Sequence, residues 1–429
     1  MNIRVFIFLL SIFVFQNDLM AVLSIDIDSG NIQPVNVAVL GLQSDPRIQS
    51  VVANDLNGSG LFKVTNAYHE NLTLDSKPNF DVWQKHDINF LLVCDVSSNS
   101  RNIQIKYRVW NVFTKRHVVG KVIEIDAEKW RQMSHIVADQ IYEASTNDEG
   151  YFNTRILYLS ESGPFDKRVG RLAIMDYDGE NHEYITSTKY MILTPRISSD
   201  NKKIMYMSYA EKVPKVFIFD REKNRHKPIA DFDGMTSAPR FGFDTNIALL
   251  ALSKDGSTNI YKFDINNFVK KQLTDNKYIN TSPSYSPDNK FIVFNSDRGG
   301  SPQLYVMRND GSDQKRISFG FGRYLNPVWS PKGDYIAFIK LLNGTFYIGI
   351  MRPNGSDEKI LASAYLIESP SWSPNGRLLV FSTTNRKGVD NVKKSRLYMV
   401  DITGKYHKSI KTPGDAADPM WSSRVGLQE

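Results

Sequence analysis

Residues 282–313 read SPSYSPDNKFIVFNSDRGGSPQLYVMRNDGSD, and residues 326–357, 44 positions further on, read NPVWSPKGDYIAFIKLLNGTFYIGIMRPNGSD. Prolines, turn glycines and apolar runs fall in the same places. Aligning the proline that opens each such unit gives Pro195, Pro239, Pro283, Pro327, Pro370 and Pro419, at steps of 44, 44, 44, 43 and 49. Self-similarity at roughly this period marks stacked supersecondary units.

Within the unit at Pro283, the stretch Pro-Ser-Tyr-Ser reads as a first strand, FIVFNS as a second, QLYVMR as a third and QKRIS as a fourth. SPDNK is a turn, because Pro presets φ and Asp and Asn tolerate turn geometry. NDGSD is a tight turn with Gly311 free to take positive φ. DRGGSP is a longer loop. Four antiparallel strands joined by short turns make one propeller blade. The ends set the blade count. RILYLS (155–160) and RLAIMDYDG (171–179) align with strands two and three but have no strand one before them. DPMWSS (418–423) is a strand one after which the chain all but stops. The two halves predict six blades, the first completed by the C-terminal strand, which removes exposed sheet edges. Tyr285, Trp329, Trp372 and Trp421 recur in strand one, and Phe294, Phe338 and Phe381 in strand two. That recurrence predicts packing between neighbouring blades.

Residues 35–144 follow a different pattern. VNVAVLGL is a strand, and DPRIQSVVANDLNGSG is helical with Gly58 and Gly60 near its stop. INFLLVCDVSS, NIQIKYRVWNVF and HVVGKVIEI are three more strands. DAEKWRQMSHIVADQIYEAS places Trp130, Met133, Val137, Ile141 and Ala144 on one helical face, with Asp126 as the expected N-cap and Glu128 suited to the positive dipole end. The predicted organisation is a leader over 1–21, a terminal strap over 22–34, a small α/β domain over 35–145, a linker over 146–154 and a six-bladed propeller over 155–429.

The leader reading rests on Arg4, the 11-residue run VFIFLLSIFVF and small Ala21, near which cleavage is expected. This run is too short to span a bilayer, and no other run is long enough, so export without membrane insertion is expected. In the strap, Leu23, Ile25 and Ile27 alternate with Ser24, Asp26 and Asp28, an edge-strand pattern. Burying three such side chains gains roughly 1.5–3 kcal/mol each. Ordering seven or so residues costs roughly 1–2 kcal/mol each. The near-balance leaves docked and free states both open. Cys94, the only cysteine, sits in NFLLVCDV and reads as a core residue. The net charge of +7 is spread out, and REKNRHK (221–227) reads as a solvated loop, so nucleic acid is not an expected partner.

Catalytic motifs are absent. There is no Gly-x-Ser-x-Gly elbow and no His-Glu-x-x-His, and the seven histidines are scattered. Neither glycine pair, at 58–60 or 299–300, is followed by Lys-Ser/Thr. No cofactor, metal or catalytic residue is expected, and function falls to surfaces. The SPDN and NDGS turns are stereotyped, so their face reads as structural. The opposite face carries the variable segments MILTP, MTSAP, INTSP, YLNP, LIESP and AADP, read as loops entering each first strand, which suits binding on a rigid frame.

This organisation resembles the TolB family, exported scaffolds of the Tol–Pal system in Gram-negative envelopes. The likeness rests on IDSG (27–30), VVANDLNGSGLF (51–62), the YDG turn at 177–179 and the S-P-D-x-K, S-D-x-x-G-x-P-Q-x-Y and W-S repeats. It implies a non-enzymatic periplasmic adaptor, monomeric, that supports envelope integrity and outer-membrane constriction during division. The lipoprotein Pal is expected at the channel mouth, at Thr194, Ala238, Asn280, Thr281 and Glu368. TolA is expected to engage the N-terminal segment at Ile25, Ile27, Asp28, Ser29 and Gly30. Outer-membrane proteins and colicin translocation segments are further implied partners. MTSAPRFGFD lacks the S-P-D turn, and the DFDG before it departs from the family pattern. The alternative reading is the propeller domain of an exported peptidase or lyase.

Overall fold

In the computed structural model, residues 33–65, 72–163, 169–187, 191–209, 214–229, 232, 234–242, 244–384 and 394–426 are described. The leader and residues 22–32 of the strap, with Ile25, Ile27, Asp28, Ser29 and Gly30, lie outside them.

The N-terminal domain is a five-stranded sheet in the order β2-β1-β3-β4-β5. Its strands are β1 (Val35–Leu40), β2 (Phe62–Thr65), β3 (Phe90–Ser98), β4 (Asn102–Asn111) and β5 (Arg116–Asp126). Helices α1 (Pro46–Gly58) and α3 (Trp130–Thr146) pack on one face, and α2 (Phe80–Lys85) covers part of the other. β1 runs parallel to both neighbours, as a strand–helix–strand crossover requires. The sequence pattern had pointed to all of these except β2 and α2, both of six residues or fewer. Asp45 caps α1 by accepting from Arg47 N at 3.1 Å. Asp126 does not cap α3: a 3-10 turn over Ala127–Lys129 intervenes, and no side chain caps either helix there. Cys94 is buried, and its thiol donates to Leu40 O at 2.9 Å.

Six four-stranded sheets follow. Blade 1 is Asp415–Arg424, Thr154–Ser162, Val169–Asp176 and Glu183–Tyr184, so the C-terminal strand is innermost in the first blade. Its register, with Met420 opposite Leu157 and Trp421 opposite Ile156, closes the ring. The inner strands of blades 2 to 6 are Ile192–Ile197, Met235–Phe241, Asn280–Tyr285, Arg323–Trp329 and Leu366–Trp372. The recurrent aromatics do pack between blades. Trp372 Nε1 donates to Val328 O of blade 5 at 3.0 Å, and Phe291 stacks on Trp329 with ring centroids 6.4 Å apart.

The turn chemistry repeats with the sequence. In blade 4 Ser286 Oγ donates to Asp288 at 2.6 Å and accepts from Phe291 N at 2.9 Å. The same Ser–Asp/Asn pair closes blade 2 (Ser198, Asp200) and blade 6 (Ser373, Asn375). Gly311 sits at φ +96, and a Cβ there would meet Leu273 O of the preceding blade at 2.4 Å. Gly355 meets the same requirement one blade later, against Ile317 O at 2.0 Å. Glycine is required here by close approach as well as by positive φ.

Both kinds of short turn lie on one face of the ring, and the N-terminal domain is fastened there. One hydrophobic cluster runs from Val37 and Leu92 through Val137 and Ile141 to Tyr151, Phe152, Tyr177 and Trp421. Helix α3 is consequently buried on both sides, and its polar residues Ser134, His135, Asp139 and Gln140 are buried with it. Buried polar groups need partners. Asp55 of α1 accepts from His135 Nδ1 and from Tyr177 Oη, each at 2.7 Å. Arg131 pairs with Asp176 at 3.4 Å and also with Asp178. Asp139 accepts from Phe152 N at 2.8 Å and Asn153 N at 3.1 Å, with Arg424 3.7 Å away. Burial alone would lower the His135 pKa, but Asp55 and Asp176 outweigh it and hold the value up at about 10. The Tyr177–Gly179 turn is thus the blade 1 contact that seats α1 and α3.

Candidate functional site: the open rim of the ring

The opposite face carries the connections from each outer strand to the next inner strand. The segments read from sequence as loops there are in fact strand. Each inner strand starts three or four residues before its proline, and the residue just before that proline adopts a left-handed conformation. These residues are Thr194 (φ +49), Ala238 (+47), Ser282 (+53), Asn326 (+47), Ser369 (+52) and Asp418 (+48). A β-bulge accompanies each one, with register breaks at Ser237/Arg240, Thr281/Ser284, Leu325/Val328, Glu368/Ser371 and Ala417/Met420, and in blade 2 at Met205/Met207 of the partner strand. The proline cannot donate to the ladder, which is why it sits at a bulge. A left-handed non-glycine residue costs roughly 1–2 kcal/mol, so the surrounding contacts must hold all six.

Cross-blade hydrogen bonds supply part of that. Ser282 Oγ donates to Asn326 Oδ1 at 3.0 Å. Asp418 accepts from Thr194 N at 3.1 Å and from the Ser369 hydroxyl. The bulge residues of blades 4 and 5, and of blades 6, 1 and 2, are thereby linked into arcs around the channel. Such strained, linked positions on a rigid frame mark functional rims.

The expected rim residues divide in three. Thr194 and Ala238 are members of the bulge ring. Thr281 and Glu368 stand one residue outside it, half-buried and exposed respectively. Asn280 is fully buried and does not reach the surface: its Nδ2 donates to Thr258 O at 3.1 Å and Asn276 Oδ1 at 2.8 Å, while its Oδ1 accepts from Arg298 at 2.8 Å. It fixes the connection between blades 3 and 4. The Glu368 carboxyl is pushed up to about 7 by partial desolvation and by Asp418 and Glu161 beside it.

Pattern reading missed the apolar cover of this rim. Eight of the fifteen exposed large apolar side chains among the described residues lie in its connections or next to them. They are Met191, Tyr209, Met235, Tyr278, Ile279, Phe319, Phe321 and Tyr365. Phe319 is 73% and Phe321 88% exposed, the two largest values in the set. A signal was present in SFGFGR, where two phenylalanines alternate with glycines outside any strand. Exposed apolar groups clustered on one face mark an interaction surface.

A second cluster, His135, Asp176 and Asp178, places ligand-type atoms within 4.8 Å of one another. Arg131 pairs with both carboxylates, and His135, its pKa held up by Asp55 and Asp176 against burial, is hydrogen-bonded to Asp55. The cluster is an ion-paired lock between domains, which does not suit a cation.

The class defined by this geometry is a two-domain propeller: an α/β module locked to the turn face of a six-bladed ring whose other rim is open, strained and apolar. The comparisons agree. A family model described as the TolB beta propeller domain matches residues 142–425, and one described as the TolB amino-terminal domain matches residues 23–118. A Tol-Pal system protein TolB from Rickettsia bellii is 44% identical over 421 residues, covering 93% of this chain and 95% of the relative. One from Paramagnetospirillum magneticum is 42% identical over 203 residues, 44% of this chain and 45% of the relative. A crystal structure of TolB from Acinetobacter baumannii superposes with a TM-score of 0.81 at 28% identity, covering 91% of this chain and 97% of that one. A chain of a nidogen/laminin complex, at 10% identity and TM-score 0.51 over 64% of this chain and 100% of that one, shares the propeller fold alone. The chain belongs to the TolB family and is a component of the Tol–Pal system.

Proposed function

We propose that this chain is a non-catalytic periplasmic scaffold that joins Pal, at the outer membrane and peptidoglycan, to TolA of the inner membrane. Pal docks on the open rim. The observation that carries this reading is the coincidence of the strained bulge ring with the exposed apolar cover, Phe319 and Phe321 above all. Aromatic anchors surrounded by a polar rim are the usual energetic centre of a protein interface. A standard interface, roughly 1,600 Å² in total, fits such a face. Thr281 and Glu368 lie beside the ring, where a partner segment entering the channel would meet them. Thr194 and Ala238 shape the ring itself, and Asn280 holds the adjacent connection in place.

TolA engages the N-terminal side. Ile25, Ile27, Asp28, Ser29 and Gly30 form the strap that it takes up. The edge strand β5 supports a second contact in the α/β domain: among the described residues it has one neighbour in the sheet, and Val118 and Val122 are 43% and 60% exposed. Open sheet edges recruit partner strands. Pal at the rim changes TolA access only if it favours one strap state over the other. Through this bridge the scaffold supports outer-membrane constriction and envelope integrity.

Pull-down from an envelope extract tests the reading. Thr281→Arg and Glu368→Arg are expected to lose Pal while retaining TolA. Undiminished recovery of Pal by both variants would overturn the assignment of the rim.

A further inference from the structure

The residue that follows the ring proline is Met420, Arg196, Arg240, Ser284, Val328 and Ser371 in blades 1 to 6. In blades 4 and 6 its hydroxyl ties the next blade, accepting from Trp329 N at 3.2 Å and from Trp421 N at 2.9 Å. Blades 2 and 3 instead put arginines at this register, opposite Met205 and Leu249 of their second strands. Both arginines line a cavity of about 240 Å³ in the channel, on the side of the bulge ring nearer the short turns. Tyr285, Ser286 and Trp421 line it too.

This pair is electrostatically incomplete. Arg196 is 8% exposed. Its Nη1 donates to Pro195 O at 2.7 Å, while its Nε has no hydrogen-bond partner. Neither arginine is ion-paired to a described carboxylate. Asp418 acts on Arg196 from a distance, but its oxygens are already held by Thr194 N and the Ser369 hydroxyl. Burial lowers both guanidinium pKa values, and for Arg240 the positive charge of Arg196 adds to the effect. A buried and a half-buried cation side by side, with no carboxylate paired to either, cost folding free energy unless a counter-ion completes them.

We propose that the Arg196–Arg240 cavity binds a phosphate group, free or as a small monoester. Two guanidinium groups on one cavity, the Arg240 fork among them, suit an oxyanion with several oxygens, each able to accept N–H donors. Two positive charges match a dianion, whereas a carboxylate leaves one unneutralised. The volume is about eight times a water's share of about 30 Å³, which leaves room for phosphate and a short ester substituent. This inference is independent of the reading of the open rim.

Calorimetric titration and thermal melts of the whole protein test it, in chloride buffer at fixed ionic strength, with inorganic phosphate and glycerol phosphate as probes. Saturable binding at one site is expected, with a melting point raised by several degrees at saturation. Tighter binding of the ester assigns a monoester, and tighter binding of inorganic phosphate the free ion. Arg240→Met is expected to abolish saturable binding and to raise the melting point in phosphate-free buffer. Arg240→Lys keeps the charge but loses the fork, and is expected to weaken affinity at least tenfold. No saturable heat from either probe at millimolar concentration, or wild-type affinity in Arg240→Lys, overturns the proposal. The wild-type and lysine titrations decide the matter even if the methionine variant fails to fold.

Discussion

The two faces of the ring are built from the same repeat and solve opposite problems. On the turn face the buried charges of the domain junction have partners: Asp55 has His135 and Tyr177, Arg131 has Asp176 and Asp178, and Asp139 has two backbone amides and Arg424. On the open rim six residues are held at left-handed angles, and the phenylalanines above them, Phe319 and Phe321, are mostly exposed. One face is closed by ion pairs and hydrogen bonds and the other is left to complete. The closed face makes the two domains one body, and an incomplete face on a rigid body is a place to dock.

The comparison breaks most completely if the ring can do without its last strand. Deleting residues 415–429 removes the inner strand of blade 1 and, with Trp421, part of the interdomain core. The truncated chain is expected to lose its cooperative melting transition and to be cleaved rapidly by protease. Retained protease resistance would show that closure is dispensable. Next in size is the lock. Asp55→Ala leaves a charged His135 and the Tyr177 hydroxyl buried without their shared acceptor, and is expected to cost about 3–5 kcal/mol in denaturant unfolding. A change below about 1 kcal/mol would mean that the turn face is less tightly closed than the geometry implies.

The rim should respond in the opposite way. Replacing both Phe319 and Phe321 by serine is expected to shift stability by no more than about 0.5 kcal/mol, as exposed substitutions do. The same variant is expected to weaken Pal binding by about 2 kcal/mol or more, the cost of losing an interface anchor. The lock also gives the fold a pH dependence. His135, held at about 10 against an ordinary 6.5, stabilises the folded protein fully below pH 6.5. That stability is lost as pH rises towards 10, because the folded state holds the proton that the unfolded state has released. The melting midpoint is therefore expected to fall between pH 7 and 9. In His135→Gln it should be lower at pH 7 and change less across that window.

Much of this was legible in the sequence. The 44-residue period, the unit lacking strand one and the orphan strand at the C-terminus together specify six blades and their closure. The rim was harder to read for a physical reason. A residue before proline is normally extended, so Thr194, Ser369 and Asp418 gave no sign of a left-handed bulge, and their prolines were taken as strand openings. Asn280, placed at the channel mouth by the resemblance, is buried because its partners Thr258 and Arg298 come from the preceding blade and from a loop of its own blade. His135 and Asp139 sit on what reads as the solvent face of an amphipathic helix; only the second domain, distant in sequence, buries them. Short elements such as β2 and α2 carry too few residues for a period to show. Phe319 and Phe321 were visible, but periodicity has nothing to say about residues outside strands.

Hydrogen exchange of the intact protein with and without Pal tests the central claim most directly. The account predicts protection at residues 273–281, 317–323 and 365–369, with little change across α3 and the 177–179 turn, which the lock already protects. Protection confined to the α3 side, with the open rim exchanging as in the free protein, would contradict it.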